Sequence, residues 1–217
     1  MDAPLIVLED VCFAYDAERP VLRGVDFRLE RGRRIGLTGA NGSGKSTFLK
    51  LIVGLLRPTR GRVCVLGEER RVEREFLPVR QRVGFLFQDP DDQLFCPTVE
   101  EDVAFGPLNQ GRPPAEVREL VTDALAVVGL EGFEHRITYR LSGGEKRLVA
   151  LAGVLAMRPE ILLLDEPVAG LDEAAQARIT ATLCGLRHEM IIVSHDQQFL
   201  DATATTTLHI RDGRVQA

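Results

Sequence analysis

The sequence predicts an α/β domain in which short buried strands alternate with helices and end in polar residues. Three observations carry this prediction. Four apolar runs of strand length, Ile35 to Thr38, Val83 to Phe87, Ile161 to Leu164 and Met190 to Val193, punctuate the chain. Helical periodicity fills the intervals, most plainly through Val117, Leu120, Val121, Ala124, Leu125 and Val128. The first apolar run also passes through a glycine-rich stretch, Gly39 to Thr47, into Leu49, Ile52 and Val53 at helical spacing.

Strand, glycine loop and helix together are the setting of a P-loop. Gly39, Gly42 and Gly44 admit positive φ and leave no Cβ between the amides and a ligand. Successive N–H groups then form an anion nest, aimed by a helix start that carries roughly +0.5 charge. Lys45 offers a mobile cation to the β- and γ-phosphates, and the Ser46 hydroxyl is placed for Mg²⁺. The chain has 3 lysines against 24 arginines, so a lysine closing this glycine pattern is not filler. Asn41, Gly42, Ser43, Gly44, Lys45, Ser46 and Thr47 are therefore candidate contacts to a nucleoside triphosphate.

With 217 residues, 45% of them hydrophobic, the chain suffices for one domain with a real core. A net charge of -5 argues against bulk nucleic-acid binding, and the clusters Arg31, Arg33, Arg34 and Arg57, Arg60, Arg62 read as solvated turns. Cys12, Cys64, Cys96 and Cys184 form no C-x-x-C and read as small buried hydrophobes in a reducing compartment. No signal-type amino terminus is present, and no apolar run approaches the ~20 residues that cross a bilayer. The expected location is cytosolic, with any membrane role exercised through a partner.

In chain order, Leu5 to Leu8 and Val11 to Tyr15 read as a strand pair broken at Glu9-Asp10, and Val21 to Leu29 as another strand. These predict an antiparallel sheet ahead of the P-loop. Tyr15, on its own chemistry, reads as core or edge packing. Arg62 to Gly67 reads as a strand, and Arg70 to Glu75 as a charged, exposed stretch. The strand Val83 to Phe87 delivers Gln88 at its carboxyl end, where ligands bind in open α/β sheets. A turn-rich loop from Asp89 to Pro97 follows. Thr98 and Glu101 have capping-box spacing, so a helix starts there and runs to about Phe105. Ala115 to Val128 is helical, and Ser142 with Glu145 opens a helix over about 143–157. Glu173 to Leu186 and Gln197 to Ala202 are helical, and Thr206 to Arg211 is a last strand before a turn at Asp212-Gly213. The whole, 1–217, reads as a single domain. A core is expected over about 1–87 and 158–217, with a helical subdomain over 88–157.

Four polar sites now lie just beyond strands: Lys45, Gln88, Asp165 with Glu166, and His195. An aspartate after four aliphatic residues is costly to keep charged unless it meets a cation. Mg²⁺ is the expected partner of Asp165, with Ser46 opposite. Glu166 can reach a water in line with the γ-phosphate and act as general base, and His195 is placed for a γ-phosphate contact.

These residues resemble the ATP-binding-cassette (ABC) ATPases over nearly the whole chain. Leu141-Ser142-Gly143-Gly144-Glu145 is similar to that family's signature motif, Gln88 to its Q-loop glutamine, Gly170-Leu171-Asp172 to its D-loop and His195 to its switch histidine. The resemblance implies a P-loop NTPase fold of the ABC type, with an antiparallel β-subdomain and a helical signature subdomain. It implies ATP and Mg²⁺ as cofactors, with Glu166, His195, Gln88 and Lys45 catalytic and Ser46, Gln88 and Asp165 at the metal. It places Tyr15 against adenine and adds Ser142, Gly143, Gly144 and Asp172 to the nucleotide contacts. Glu145 stands where glutamine is commoner and Val168 where threonine is commoner. A head-to-tail dimer is implied too, because the amides and hydroxyl at the start of the signature helix form a second anion site. One chain cannot easily fold that site onto its own P-loop.

A narrower resemblance lies in Phe87 to Phe95 and Val99 to Pro107, which look like ATPases of energy-coupling-factor importers. Gly144 to Arg147 and Val149 to Met157 resemble the cobalt and nickel branch, and vitamin-specific members share much of the pattern. The chain also ends soon after His195, without the extension many of these relatives carry. The expected partners are a second ATPase subunit and integral membrane subunits, with no nucleic acid. The membrane subunits would dock in a groove near Leu94, Phe95, Val99 and Phe105, placing the chain on the cytoplasmic face of a membrane. Chromosome-organising relatives separate the two motifs by long coiled coils, whereas here 97 positions (142 − 45) do. Ribosome-associated relatives usually carry two cassettes, and this chain has room for one. A non-catalytic scaffold is disfavoured by intact Lys45, Asp165, Glu166 and His195.

Overall fold

The computed structural model describes residues 3–16 and 18–216. In chain order these form β1 (Ile6–Ala14), β2 (Pro20–Leu29), β3 (Arg34–Gly39), α1 (Lys45–Ile52), β4 (Arg60–Val65) and β5 (Glu68–Glu69). Next come α2 (Glu73–Arg82), β6 (Val83–Leu86), α3 (Val99–Asn109), α4 (Pro114–Val127) and α5 (Gly143–Ala156). The chain closes with β7 (Ile161–Asp165), α6 (Glu173–Gly185), β8 (Glu189–Val193), α7 (Gln197–Thr203), β9 (Thr206–Arg211) and β10 (Arg214–Gln216).

Two sheets result. The first has the order β2-β1-β4-β5 and is antiparallel throughout. The second has the order β10-β9-β3-β8-β7-β6; its pairs from β9 to β6 are all parallel, and only the terminal hairpin β9-β10 is antiparallel. Parallel pairing gathers the carboxyl ends of β3, β6, β7 and β8 on one edge, which is where the four polar sites emerge.

The central strands are apolar on both faces because both faces are covered. Ile161, Leu163, Ile191 and Val193 join one core with the antiparallel sheet, α1 and α2. Leu162, Leu164, Met190 and Ile192 join another with α3 to α7. The alternation of strand side chains thus divides one apolar run between two cores. Close approach of α5 to the sheet needs Gly84, since a Cβ there would lie 2.4 Å from Val154 Cγ1.

Several sequence expectations are corrected. The expected break at Glu9-Asp10 is a bulge within one continuous β1: pairing shifts between Leu8 and Val11, and Asp10 has a φ of 49°. The charged stretch 70–75 is neither wholly exposed nor irregular. Arg70 is buried, donates to Val65 O and Glu75 O, and pairs with Glu68 at 2.7 Å. Helix α2 begins at Glu73; Pro78 inside it hid the signal, while Phe76 and Val79 anchor it in the core. Helix α3 continues past Phe105 to Asn109 despite Pro107. The cysteines are free but not deeply buried, and Cys184 is exposed. Arg34 is not a solvated turn residue, because its guanidinium caps the end of α6 through Leu183 O and Leu186 O.

Candidate functional site

The loop between β3 and α1 is built so that its amides stay available. Gly44 stands at the N-cap of α1 with a φ of 104°, and no side chain caps the first turn. A Cβ at Gly44 would meet Leu22 Cδ2 and Val21 Cγ1 at 2.9 Å, so both backbone and packing require glycine. Lys45 folds back under the loop, its Nζ donating to Gly39 O (2.8 Å) and Ala40 O (3.1 Å) and lying 3.1 Å from His195 Nε2.

A cavity of about 510 Å³ opens over this loop, lined by Tyr15, Asn41, Gly42, Gly44, Lys45, Ser46, Thr47, Gln88, Asp165, Glu166 and His195. The P-loop, the ends of three neighbouring strands and Tyr15 are thereby brought together. Tyr15 is 63% exposed, edge-on to Phe13, and its hydroxyl is 3.1 Å from Thr47 Oγ1. A second cavity of about 610 Å³ adjoins it, sharing Ser46, Gln88 and Asp165 and adding Lys50 and Arg147.

Burial sets the electrostatics. Desolvation raises the pKa of both Asp165 and Glu166, opposed at Asp165 by its hydrogen bond with Ser46 and at Glu166 by His195. Desolvation also lowers the pKa of Lys45, against the pull of Glu166 and Asp165. Asp165 Oδ1 and Glu166 Oε1 are buried without a hydrogen bond, although His195 Nε2 lies 3.4 Å from the latter. Glu166 is held at a φ of 49°, a strained value for a side chain with a Cβ. Two carboxylates kept short of partners call for a cation. Oxygen donors from Ser46, Asp165 and Gln88 suit a hard divalent ion such as Mg²⁺.

Not every expected contact is here. Ser43 lies on the loop, but its hydroxyl is buried beneath it without a partner and does not line the cavity. Ser142, Gly143, Gly144 and Asp172 line neither cavity. Ser142 Oγ accepts from Glu145 N at 3.2 Å, while Glu145 returns a carboxylate to Ser142 N at 2.8 Å. Asp172 caps α6, accepting from Ala175 N at 2.8 Å. Among the described residues, then, one chain supplies the P-loop half of the expected constellation and leaves the signature half facing elsewhere.

The expected groove exists, with one correction. A pocket of about 310 Å³ is lined by Leu94, Phe95 and Phe105, together with Val53, Phe85, Phe87 and Met157. Phe95 and Phe105 stack edge to face at 4.7 Å and remain 65% and 47% exposed. Val99 does not line it: the side chain is fully buried in the helical core. The helix geometry turns Val99 inward because it begins α3 one face away from Phe105.

Sequence reasoning also missed Arg147, Lys50 and Asp102. Asp102 is a buried carboxylate that accepts from Phe95 N (3.0 Å), Cys96 N (2.9 Å) and Thr138 Oγ1 (3.0 Å), joining the groove wall to the turn before α5. The available signal was a charged residue on the apolar face of a helix, as Arg147 is beside Ala150 and Leu151.

Comparison with known proteins bears on this arrangement. Residues 22–169 match the family described as ABC transporter. The energy-coupling factor transporter ATP-binding protein EcfA of Methanothermobacter thermautotrophicus is 45% identical over 217 residues, covering 98% of this chain and 70% of that protein. The structure of cbiO1 from Clostridium perfringens, described as part of the ABC transporter complex cbiONQ, superposes with a TM-score of 0.89 at 33% identity, covering 100% of this chain and 88% of that one. The ATP-binding cassette MJ0796, a dimer in a post-hydrolysis state bound to ADP and Pi, gives a TM-score of 0.89 at 27% identity, covering 98% and 97%.

Proposed function

This chain belongs to the ABC transporter family and is an ATPase subunit related to EcfA and CbiO, and we propose that it drives an importer of the energy-coupling-factor type. The carrying observation is that the nucleotide side and the apolar groove share a wall. Phe87 and Asp92 line both the groove and the second cavity, which contains Gln88 and Asp165. A change at the nucleotide therefore has a short path to whatever fills the groove.

In this reading Tyr15 stacks on adenine, and the amides of residues 41–47 with Lys45 hold the phosphates. Mg²⁺ bound by Ser46, Gln88 and Asp165 would neutralise phosphate charge. Glu166 takes a proton from the attacking water; its raised pKa brings it closer to the working pH of a general base. His195, beside Lys45 and Glu166, steadies the γ-phosphate and the base together. Ser142, Gly143, Gly144 and Asp172 complete the site of a second ATPase subunit in a head-to-tail dimer, which accounts for their absence from this chain's own cavity.

No described helix is long and apolar enough to cross a membrane. The proposed chain sits peripherally on the cytoplasmic face, with a helix of a membrane subunit in the groove formed by Leu94, Phe95 and Phe105. The proposed solute is a transition-metal ion such as cobalt or nickel, supported by the sequence pattern from Gly144 to Met157.

The test is reconstitution with membrane subunits using Leu94→Asp and Phe95→Ala. Assembly and uptake fall, while ATPase activity of the isolated chain survives. Normal assembly and uptake in both variants would refute the docking surface. Accumulation of a vitamin such as biotin in place of cobalt or nickel would reassign the solute.

A further inference from the structure

Arg147 lies on α5 and is 5% exposed; Asp89, Asp165 and Glu166 act on its charge, but none of them is within ion-pair distance among the described residues. Its Nη1 donates instead to two consecutive carbonyls, Phe87 O at 3.0 Å and Gln88 O. Its Nε is buried without a partner. Burial lowers the pKa of the guanidinium in spite of the opposing pull of Asp89, Asp165 and Glu166, and the groups it actually hydrogen-bonds are the two carbonyls. Something at the end of β6 therefore depends on it. Arg147 also faces the cavity that contains Ser46, Gln88 and Asp165.

Two further tethers bind the same segment to the same helix. Lys146 Nζ is 2.6 Å from Asp91 Oδ1. Gln93 accepts from Phe87 N at 3.1 Å and reaches back to Ala150 O at 3.4 Å. Residues 87–93 are thus fastened to α5 at three points, and α5 is the helix that starts at Ser142.

We infer that Arg147 is a positioning residue that fixes the backbone of Gln88 against α5, so that Gln88 and the Ser142 end of the helix move as one unit. The inference rests on the reading of Gln88 as a ligand on the Mg²⁺ side of the nucleotide. Through this link a displacement of the Ser142 end of α5 would reach the metal side of this chain's own site.

The experiment is calorimetry with a non-hydrolysable ATP analogue, with and without Mg²⁺, on Arg147→Met, Arg147→Lys, Gln88→Ala and the double variant Gln88→Ala/Arg147→Met. Arg147→Met keeps the length of the side chain but removes its donors. It should lose about tenfold of the Mg²⁺-dependent gain in affinity, or ~1.4 kcal/mol, with metal-free binding changed less than about twofold. Arg147→Lys, which keeps a charged donor, should recover most of the loss. Because both residues act through one contact, the double variant should lose no more than Gln88→Ala alone. Additive losses, or equal losses with and without Mg²⁺, would overturn the positioning role. An unchanged Mg²⁺ response in Gln88→Ala, by contrast, would overturn the reading of Gln88 itself. Should Arg147→Met fail to fold, Asp91→Asn tests the tether at the surface. It predicts a loss of about two- to threefold, and an unchanged value there counts against the latch.

Discussion

Helices α1 and α5 both begin in a glycine-rich turn, yet they treat their first-turn amides in opposite ways. Helix α1 has glycine at its N-cap, no side-chain cap and a buried lysine folded beneath it. Helix α5 satisfies itself: Ser142 and Glu145 form a reciprocal capping box, and a Cβ on Gly143 would touch nothing within 4 Å. The carboxylates near the two starts also differ. Burial raises the pKa of Asp165 and Glu166 beside α1, whereas hydrogen bonds from Ser142 lower that of Glu145 at α5, assisted by Arg136 and Arg178. The difference teaches that the α1 start leaves its first-turn amides without a side-chain cap, while the α5 start is satisfied within one chain and, in the proposed dimer, becomes a site only when the partner approaches. Glycine-rich helix starts are alike in sequence, and what surrounds them divides their work.

The largest expected effect concerns the uncapped end. Glu166→Gln should retain ATP yet lose hydrolysis by about 10²–10⁴-fold, the usual worth of a general base. Trapped before hydrolysis, it should dimerise on adding ATP and Mg²⁺, which light scattering reads directly. Near-normal turnover would remove Glu166 from the reaction.

A smaller effect separates the two helix starts. Lys45→Ala deletes a charged phosphate donor and should weaken ATP binding to a single chain by about 10- to 100-fold, from the ~1.5–3 kcal/mol of a charge-assisted hydrogen bond. Ser142→Ala should leave that affinity within about twofold, cost ~1 kcal/mol of stability through the lost cap, and weaken ATP-driven dimerisation. Equal losses of single-chain ATP affinity in the two variants would erase the contrast.

The smallest effect is one of sign. Glu166 has a raised folded pKa, so its contribution to stability is present at low pH and lost as pH rises through that pKa. Glu166→Gln in the nucleotide-free protein should therefore melt above the parent at pH 7, with the gap narrowing as pH falls toward the ordinary glutamate value. Glu145 has a lowered folded pKa, so its contribution is present above the ordinary value and lost as pH falls through the lowered one. Glu145→Gln should melt below the parent at pH 7, and that gap should close only below about pH 4.5. Melting curves with gaps of the same sign at pH 7 would contradict the electrostatic contrast.

The sequence by itself determined the strands of the parallel sheet, the P-loop and the polar residues beyond Val83–Phe87, Ile161–Leu164 and Met190–Val193. These are local matters: apolar run length encodes burial, and glycine spacing encodes a loop whose backbone faces a ligand. Because the strands are parallel, their ends had to converge, so Lys45, Gln88, Asp165, Glu166 and His195 could be read together before any contact was visible. The tertiary structure alone decided the rest. Val99 and Phe105 share one apolar segment, and only packing against α4 and α5 turns one inward while the other lines a groove. Arg147 stands out in sequence as a charge on an apolar helix face, but only when α5 lies across β6 do its donors find the carbonyls of Phe87 and Gln88. Each choice depends on partners far away in the chain, and periodicity carries no record of which partner arrives.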